Sequence, residues 1–338
     1  MSIATPPIGR LAPSPTGHLH VGHARSFLIA WWSIRAAGGT MLMRLEDLDR
    51  SRVRPEYVSG VLSDLEWLGL DWDGPVISQF EGRAALHDAA QDLLRRGLAY
   101  PCVCTRSEIK DAIAAPHAGE SSEVYPGTCR GLYASLGDAR EASGREPALR
   151  LRVEAGEVSF IDLLHGQQSS DVARTVGDFP LTSRDGQVAY QLAVVVDDAR
   201  EGVTEVLRGE DLLDSTARQV LLQRALGLPS PRRGHLGLVA DATGRRLAKR
   251  ADDLSLARLR ELGVDPRLLV SWIAASAGMA PETDTCAEVE ARTATDFIPD
   301  FRLRNRPEPA VRFDQPELNS LVSGRVPRVF DSPGDEKF

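Results

Sequence analysis

Ile8-Gly9-Arg10-Leu11-Ala12-Pro13-Ser14-Pro15-Thr16-Gly17-His18-Leu19-His20-Val21-Gly22-His23 runs from a short apolar strand, through a turn, into a helix. Residues 8–12 read as the strand, and the prolines and glycine of 13–17 force the turn. The helix is expected from near Gly22 through Ile34, with Gly38 and Gly39 as its stop. A helix N-terminus offers free backbone N–H groups and the positive end of a dipole to an anion. Gly22 would let a nucleotide approach the backbone closely. His20 and His23, three apart, share one helical turn and can address one phosphate. One histidine here would read as a surface residue; the whole strand–turn–helix arrangement makes His20, Gly22 and His23 a candidate ATP site.

Outward from this point, helices and short apolar strands alternate. Met41 to Leu45 is the next strand. Pro55 opens a helix with Val58, Val61, Leu62, Leu65 and Leu68 on one face, and another helix spans roughly 81–96. This alternation predicts an α/β fold with a parallel sheet. Residues 188–196 read as a buried strand, 203–207 as a further strand and 214–226 as a helix. The expected units are a catalytic α/β domain in two halves, 8–99 and 176–252, and an inserted subdomain at 100–175. A helical stem at 253–300, hinged near Gly263 and Pro266, and a Pro-rich tail at 305–338, extended or disordered, complete the chain.

Composition sets outer limits. Of 338 residues, 42% are hydrophobic and 26% charged, an ordinary globular balance. A core of that size needs no disulfide staples. No run of about 18 apolar residues occurs, so no membrane span is expected, and the N-terminus has no signal-peptide core, which points to the cytoplasm. The formal net charge of −8 argues against broad nucleic-acid binding and against DNA as a partner. Basic clusters at Arg232 and Arg233, at 245–250 and at Arg302, Arg304 and Arg306 leave room for an RNA contact, although each alone reads as a solvated face.

The His20-Val21-Gly22-His23 segment resembles the HIGH signature of class I aminoacyl-tRNA synthetases, and the preceding Arg10 to Gly17 resembles the glutamyl/glutaminyl branch. That resemblance implies a Rossmann-like nucleotide-binding sheet with an inserted subdomain and a small C-terminal helical region. It also implies a second signature, KMSKS, for which Arg246-Leu247-Ala248-Lys249-Arg250 stands in the right place. Arginine replaces the first lysine and alanine the serine, but Lys249 is kept, so Lys249 joins His20 and His23 as a candidate catalytic residue. A cation on a mobile loop can close on pyrophosphate as charge develops.

The likeness extends over Arg44 to Asp49, Tyr190 to Asp198 and Leu207 to Leu212. Guanidinium groups bind carboxylates bidentately, so Arg10 and Arg208 are candidates to clamp glutamate. Ser14 and Tyr190 can donate hydroxyls, and Glu46 can pair with an ammonium. The family analogy adds Leu11, Ala12 and Pro13 to the glutamate site. It implies ATP with Mg²⁺, L-glutamate and tRNA as partners, in a chain expected to act as a monomer.

Cys102, Cys104 and Cys129 could supply three ligands to a structural zinc, or could be plain reduced thiols. The likeness narrows to a subgroup that glutamylates queuosine in tRNA(Asp), in which a tyrosine four residues before the last cysteine completes the zinc site. Tyr125 has that position, and His117 is the more ordinary alternative. Cys286 reads as a buried thiol. The match fades near 280–300, and the remaining C-terminal stretch is too short for an anticodon-binding domain, which fits the same subgroup. A truncated glutamyl-tRNA synthetase, a small-molecule nucleotidyltransferase and a catalytically silent RNA-binding paralogue are the competing readings.

Overall fold

The computed structural model describes residues 5–114, 124–241, 243–245, 247, 254–279, 291–303 and 310–329. In chain order, β1 (Ile8–Leu11) leads into α1 (Val21–Ala36), β2 (Thr40–Leu45), α2 (Pro55–Trp67), β3 (Ile77–Ser78) and α3 (Arg83–Arg95). Next come β4 (Ala99–Cys102), α4 (Arg106–Ala114), α5 (Leu136–Ser143), β5 (Ala148–Leu151), β6 (Val158–Asp162), β7 (Gly166–Ser170) and α6 (Val172–Thr175). The chain continues through α7 (Tyr190–Arg200), β8 (Glu205–Gly209), α8 (Thr216–Leu226), β9 (Arg232–Leu236) and β10 (Val239–Ala240). It closes with α9 (Leu256–Glu261), α10 (Pro266–Ser276), β11 (Val311–Arg312) and α11 (Gln315–Val322).

β1, β2 and β3 pair in parallel. A second sheet has the order β7-β6-β9-β8, in which β8 and β6 are each parallel to β9 and β7 is antiparallel to β6. The N–H of Thr204 donates to the Ile8 carbonyl at 2.8 Å, which sets the start of β8 beside β1. From β1 the chain crosses through α1 to β2 on one side; from β8 it crosses through α8 to β9 on the other. Such a reversal opens a crevice beyond the carboxyl ends of the two central strands. α1 borders that crevice and is fixed by Leu28, Ile29, Trp31 and Trp32, all buried. Each such side chain contributes roughly 1.5–3 kcal/mol on burial, so the helix is a rigid support.

Three sequence expectations change. Tyr190 to Val196 lies in the helix α7, not in a strand. A wholly buried apolar run has no polar alternation, so periodicity cannot separate the two; packing beside α3 and α8 decides it. The inserted segment does not run intact to 175, because β6 already pairs with β9 at Asp162 and Arg233. Leu149, Leu151 and Phe179 share one apolar core with α3, α7 and α8. In the tail, β11 pairs with β10 and α11 carries a capping box formed by Asp314 and Glu317. Pro316 sits in the first turn of α11, where its missing N–H costs nothing, and Phe313 packs edge-on against Trp272. Residues 304–309, 330–338 and Cys286 lie outside the described residues. Among the described residues no helix is long and apolar enough to cross a membrane.

Candidate active site

A cleft of about 390 Å³ opens at the ends of β1 and β8. Arg10, Ala12, Pro13, Ser14, Glu46, Tyr190 and Arg208 line it together with His20, Gly22 and His23. Leu11 is the exception among the residues expected there. Strand side chains alternate in direction, and that of Leu11 is fully buried in the core, so Leu11 is not part of the cleft lining. The Glu46 N–H donates to the Pro13 carbonyl at 2.9 Å, which ties the end of β2 to the turn after β1.

His20 is the N-cap of α1. Its Nδ1 accepts the Gly22 N–H at 3.1 Å, and the Nδ1 of His23 accepts the His20 N–H at 3.2 Å. These bonds assign the hydrogen of each neutral ring to Nε2. The two rings stack with centroids 3.7 Å apart. Gly22 suits this position for a reason the sequence does not reveal: a Cβ there would stand 3.0 Å from the Cε1 of His20, a tight contact that the ring would have to yield to.

Beneath the cleft lies a buried charge network. Asp198 Oδ1 accepts from Arg44 Nη2 at 2.7 Å and from Arg10 Nε at 3.2 Å, while Arg44 Nη1 donates to Glu201 at 2.6 Å. Burial pushes the Asp198 carboxyl up, but Arg10 and Arg44 outweigh it and hold it below its ordinary value. Glu46, 3.8 Å from Arg44 and 3.3 Å from the Ser14 hydroxyl, goes the other way. Burial raises it against the pull of Arg44 and Arg10. Desolvation, with Glu46 next, raises the Tyr190 phenol, which remains a donor.

Arg208 is held differently. Nε donates to His235 Nε2 at 3.0 Å, and Nη2 donates to Thr216 Oγ1 at 2.9 Å and to the Leu212 carbonyl at 3.3 Å. All three acceptors are uncharged, so no carboxylate is hydrogen-bonded to this guanidinium among the described residues. Neither Arg208 Nη1 nor either Nη of Arg10 makes a hydrogen bond among the described residues. Arg44, Asp198, Glu201, His235 and Asp162 were not singled out by the sequence as site residues. The available signal was a charged side chain inside an apolar strand, as in Met43-Arg44-Leu45 and Gly234-His235-Leu236, which demands a buried partner.

The cysteine cluster forms a separate small core with Tyr100, Val103 and Ala139. The Sγ atoms of Cys102, Cys104 and Cys129 all lie within 4.8 Å of one another. Tyr125 Oη is 3.3 Å from Cys102 Sγ and 3.6 Å from Cys104 Sγ, and it accepts the Cys129 N–H at 3.1 Å. Bond lengths of about 2.0–2.3 Å in a tetrahedral zinc site imply ligand separations of about 3.5–3.8 Å, and the contacts of 3.3, 3.6 and 3.4 Å that link Cys102 to Tyr125, Tyr125 to Cys104 and Cys104 to Cys129 are on that scale. Burial pushes the Cys104 thiol up to about 12; Tyr125 opposes this, and Cys129 and Cys102 add to it. Adjacent thiolates need a cation to ionise together, and three sulfurs with one oxygen suit zinc. Arg150 adds charge compensation, with Nε 3.3 Å from Cys102 Sγ and its guanidinium over the Tyr125 ring. His117 lies outside the described residues.

Lys249, Arg246, Ala248 and Arg250 also lie outside them. Leu247 is described: it is buried, it lines the cleft, and its N–H donates to the Val239 carbonyl at 3.1 Å.

A family described as tRNA synthetases class I (E and Q), catalytic domain, matches residues 8–319. A Glutamyl-Q tRNA(Asp) synthetase of Nitratidesulfovibrio vulgaris is 47% identical over 282 residues, covering 81% of this chain and 87% of that protein. One of the same name from Symbiobacterium thermophilum is 43% identical over 326 residues, covering 94% and 98%. The crystal structure of a glutamate tRNA ligase from Elizabethkingia meningosepticum, in complex with its amino acid, superposes with a TM-score of 0.76. It is 24% identical and covers 93% of this chain and 68% of its own, a likeness of fold.

Proposed function

Because the chain belongs to the class I tRNA synthetases for glutamate and glutamine, we propose that it activates L-glutamate with ATP and transfers the glutamyl group to queuosine in the anticodon loop of tRNA(Asp). One observation carries the glutamate reading. Arg10 and Arg208 meet in one cleft with Glu46, and both arginines keep N–H groups without a protein partner among the described residues.

In this reading Arg10 and Arg208 take a carboxylate of the substrate, and Glu46 takes its ammonium. Ser14 and Tyr190 add hydroxyl donors, and Ala12 and Pro13 form part of the wall. An α-carboxylate oxygen attacks the α-phosphorus of ATP. The bond from that phosphorus to the bridging oxygen breaks, and pyrophosphate leaves with its electron pair. The Nε2–H groups of His20 and His23, the N-terminus of α1 and Lys249 stabilise charge on the phosphate oxygens, so catalysis is positioning plus electrostatics. Mg²⁺ bound with ATP would screen its phosphates. A queuosine hydroxyl then attacks the glutamyl carbonyl, the bond from that carbon to the phosphate oxygen breaks, AMP leaves with its electron pair, and the hydroxyl proton passes to solvent.

Cys102, Cys104, Tyr125 and Cys129 would hold one structural zinc.

The test has two stages. ATP–pyrophosphate exchange is measured with glutamate and no tRNA, and Lys249→Ala should depress it far more than it weakens glutamate binding. Labelled glutamate is then offered to queuosine-bearing tRNA(Asp) and to tRNA(Glu). Exchange followed by labelling of tRNA(Asp) alone supports the proposal. Labelling of the tRNA(Glu) 3′ end makes the protein a glutamyl-tRNA synthetase, and no exchange with or without tRNA makes it a silent paralogue.

A further inference from the structure

A guanidinium that must receive a carboxylate presents a design problem. It has to be oriented, yet a carboxylate used to orient it would cancel its charge. At Arg208 the orienting group is an imidazole. His235 is wholly buried, and its Nε2 accepts the Arg208 Nε–H at 3.0 Å and lies 3.2 Å from Thr216 Oγ1. A neutral imidazole carries one lone pair and one N–H, and the partner of Nδ1 decides which nitrogen has which.

That partner is Asp162 Oδ2, 2.6 Å from His235 Nδ1. Asp162 cannot exchange its two oxygens, because Oδ1 already accepts the N–H groups of Leu164 and His165, each at 3.0 Å. Hydrogen bonds from His235 and from these backbone groups overcome the effect of burial and hold the Asp162 carboxyl at about 2. The carboxylate therefore accepts only. The hydrogen belongs on Nδ1, and the lone pair of Nε2 faces Arg208. Burial lowers the pKa of His235; Asp162 opposes this and Arg208 reinforces it, so the ring is neutral at neutral pH.

We propose that Asp162 and His235 are positioning residues that fix one imidazole tautomer and thereby orient the uncompensated guanidinium of Arg208 toward a carboxylate of the substrate. The inference rests on the reading of Arg208 as a glutamate clamp. With Nε and Nη2 engaged, Nη1 is the nitrogen left for the ligand.

The sharpest test is Asp162→Asn. The amide oxygen can keep the backbone bonds from Leu164, His165 and His235, which turns the NH₂ toward His235 Nδ1. The ring must then carry its hydrogen on Nε2, against Arg208. In ATP–pyrophosphate exchange the KM for glutamate should rise roughly tenfold or more, the scale of losing one hydrogen bond to a charged group, while kcat and the KM for ATP hold. A double-mutant cycle shows whether the effect passes through Arg208: Asp162→Asn should add nothing in an Arg208→Ala background, and additive losses overturn the inference. As a second pair, His235→Gln, whose amide oxygen can accept from Arg208, should retain more glutamate affinity than His235→Leu; equal losses overturn it. If Arg208→Ala raises the KM for glutamate and Asp162→Asn does not, only the positioning role falls. If Arg208→Ala leaves that KM unchanged, the glutamate clamp itself is wrong and the positioning role falls with it.

Discussion

His20 and His23 stack with ring centroids 3.7 Å apart, and each turns its Nδ1 back onto the first turn of α1. Both rings are thereby committed to the Nε2–H tautomer, the form that donates to a phosphate oxygen. His20→Ala is expected to lower kcat for ATP–pyrophosphate exchange by about 10²–10³, as removal of one preorganised donor does elsewhere, with little change in the KM for glutamate. Gly22→Ala should act in the same direction, because its Cβ would press on the His20 ring at 3.0 Å and would narrow the cleft that Gly22 lines. Full activity in Gly22→Ala would show that the stacked arrangement is not needed.

Arg208 and Arg10 should separate by charge compensation. Arg10 shares Asp198 with Arg44, whereas Arg208 has only neutral acceptors. Arg208→Ala should therefore raise the KM for glutamate by roughly 10–100-fold, the equivalent of about 1.5–3 kcal/mol. Arg208→Lys should recover little, since an ammonium cannot reproduce the fork that meets His235, Thr216 and the ligand together. Initial rates over a range of glutamate concentrations decide it, and a lysine variant with the wild-type KM would reject bidentate recognition.

How far the sequence reveals this site depends on distance along the chain. The His20 to His23 arrangement is local: a turn, a cap and a glycine lie within a few residues, and local chemistry is legible. The network beneath it is not. Arg44 and Asp198 are 154 positions apart, and Asp162 and His235 are 73 apart. Their meeting depends on the order of strands in the sheet. It depends also on α7 being a helix, since helical turn rather than strand alternation sets which neighbour each of Asp197 and Asp198 faces. In the helix, Asp198 meets Arg10 and Arg44 while Asp197 takes the Gln79 amide. The tail misled for the opposite reason: its prolines read as breakers, and one of them starts α11.

The cysteine cluster predicts a measurable metal. Purified protein should contain equimolar zinc by atomic absorption, and Cys129→Ser should lose it. Tyr125→Phe removes an oxygen that lies 3.3 Å and 3.6 Å from two sulfurs, so it should weaken zinc retention against a chelator while leaving the three thiols in place. Stripping the metal should raise amide exchange around Tyr100, Val103 and Ala139, which pack with the cluster, and leave the core around Trp32 protected. A metal-free protein with identical exchange would reduce the cluster to buried thiols.

Glu46 sets binding against stability. Its folded-state pKa is raised by burial, so ionisation is disfavoured in the empty cleft and a substrate ammonium would relieve the cost. Proton linkage gives the sign. An acid whose pKa rises on folding contributes stability below its unfolded value and loses it as pH climbs through the folded one. Glu46→Gln should therefore melt higher than the wild type at neutral pH, and the two curves should converge in acid, where Glu46 is protonated in both states. Binding should run the other way. In the wild type the KM for glutamate should rise as pH falls, beginning above the ordinary carboxylate range, whereas Glu46→Gln should bind weakly at every pH and lack that inflection. Thermal melts and exchange kinetics on the two proteins over the same pH series test both halves. A variant that is less stable than the wild type at neutral pH would mean that the attraction of Arg44 outweighs the desolvation of the carboxylate.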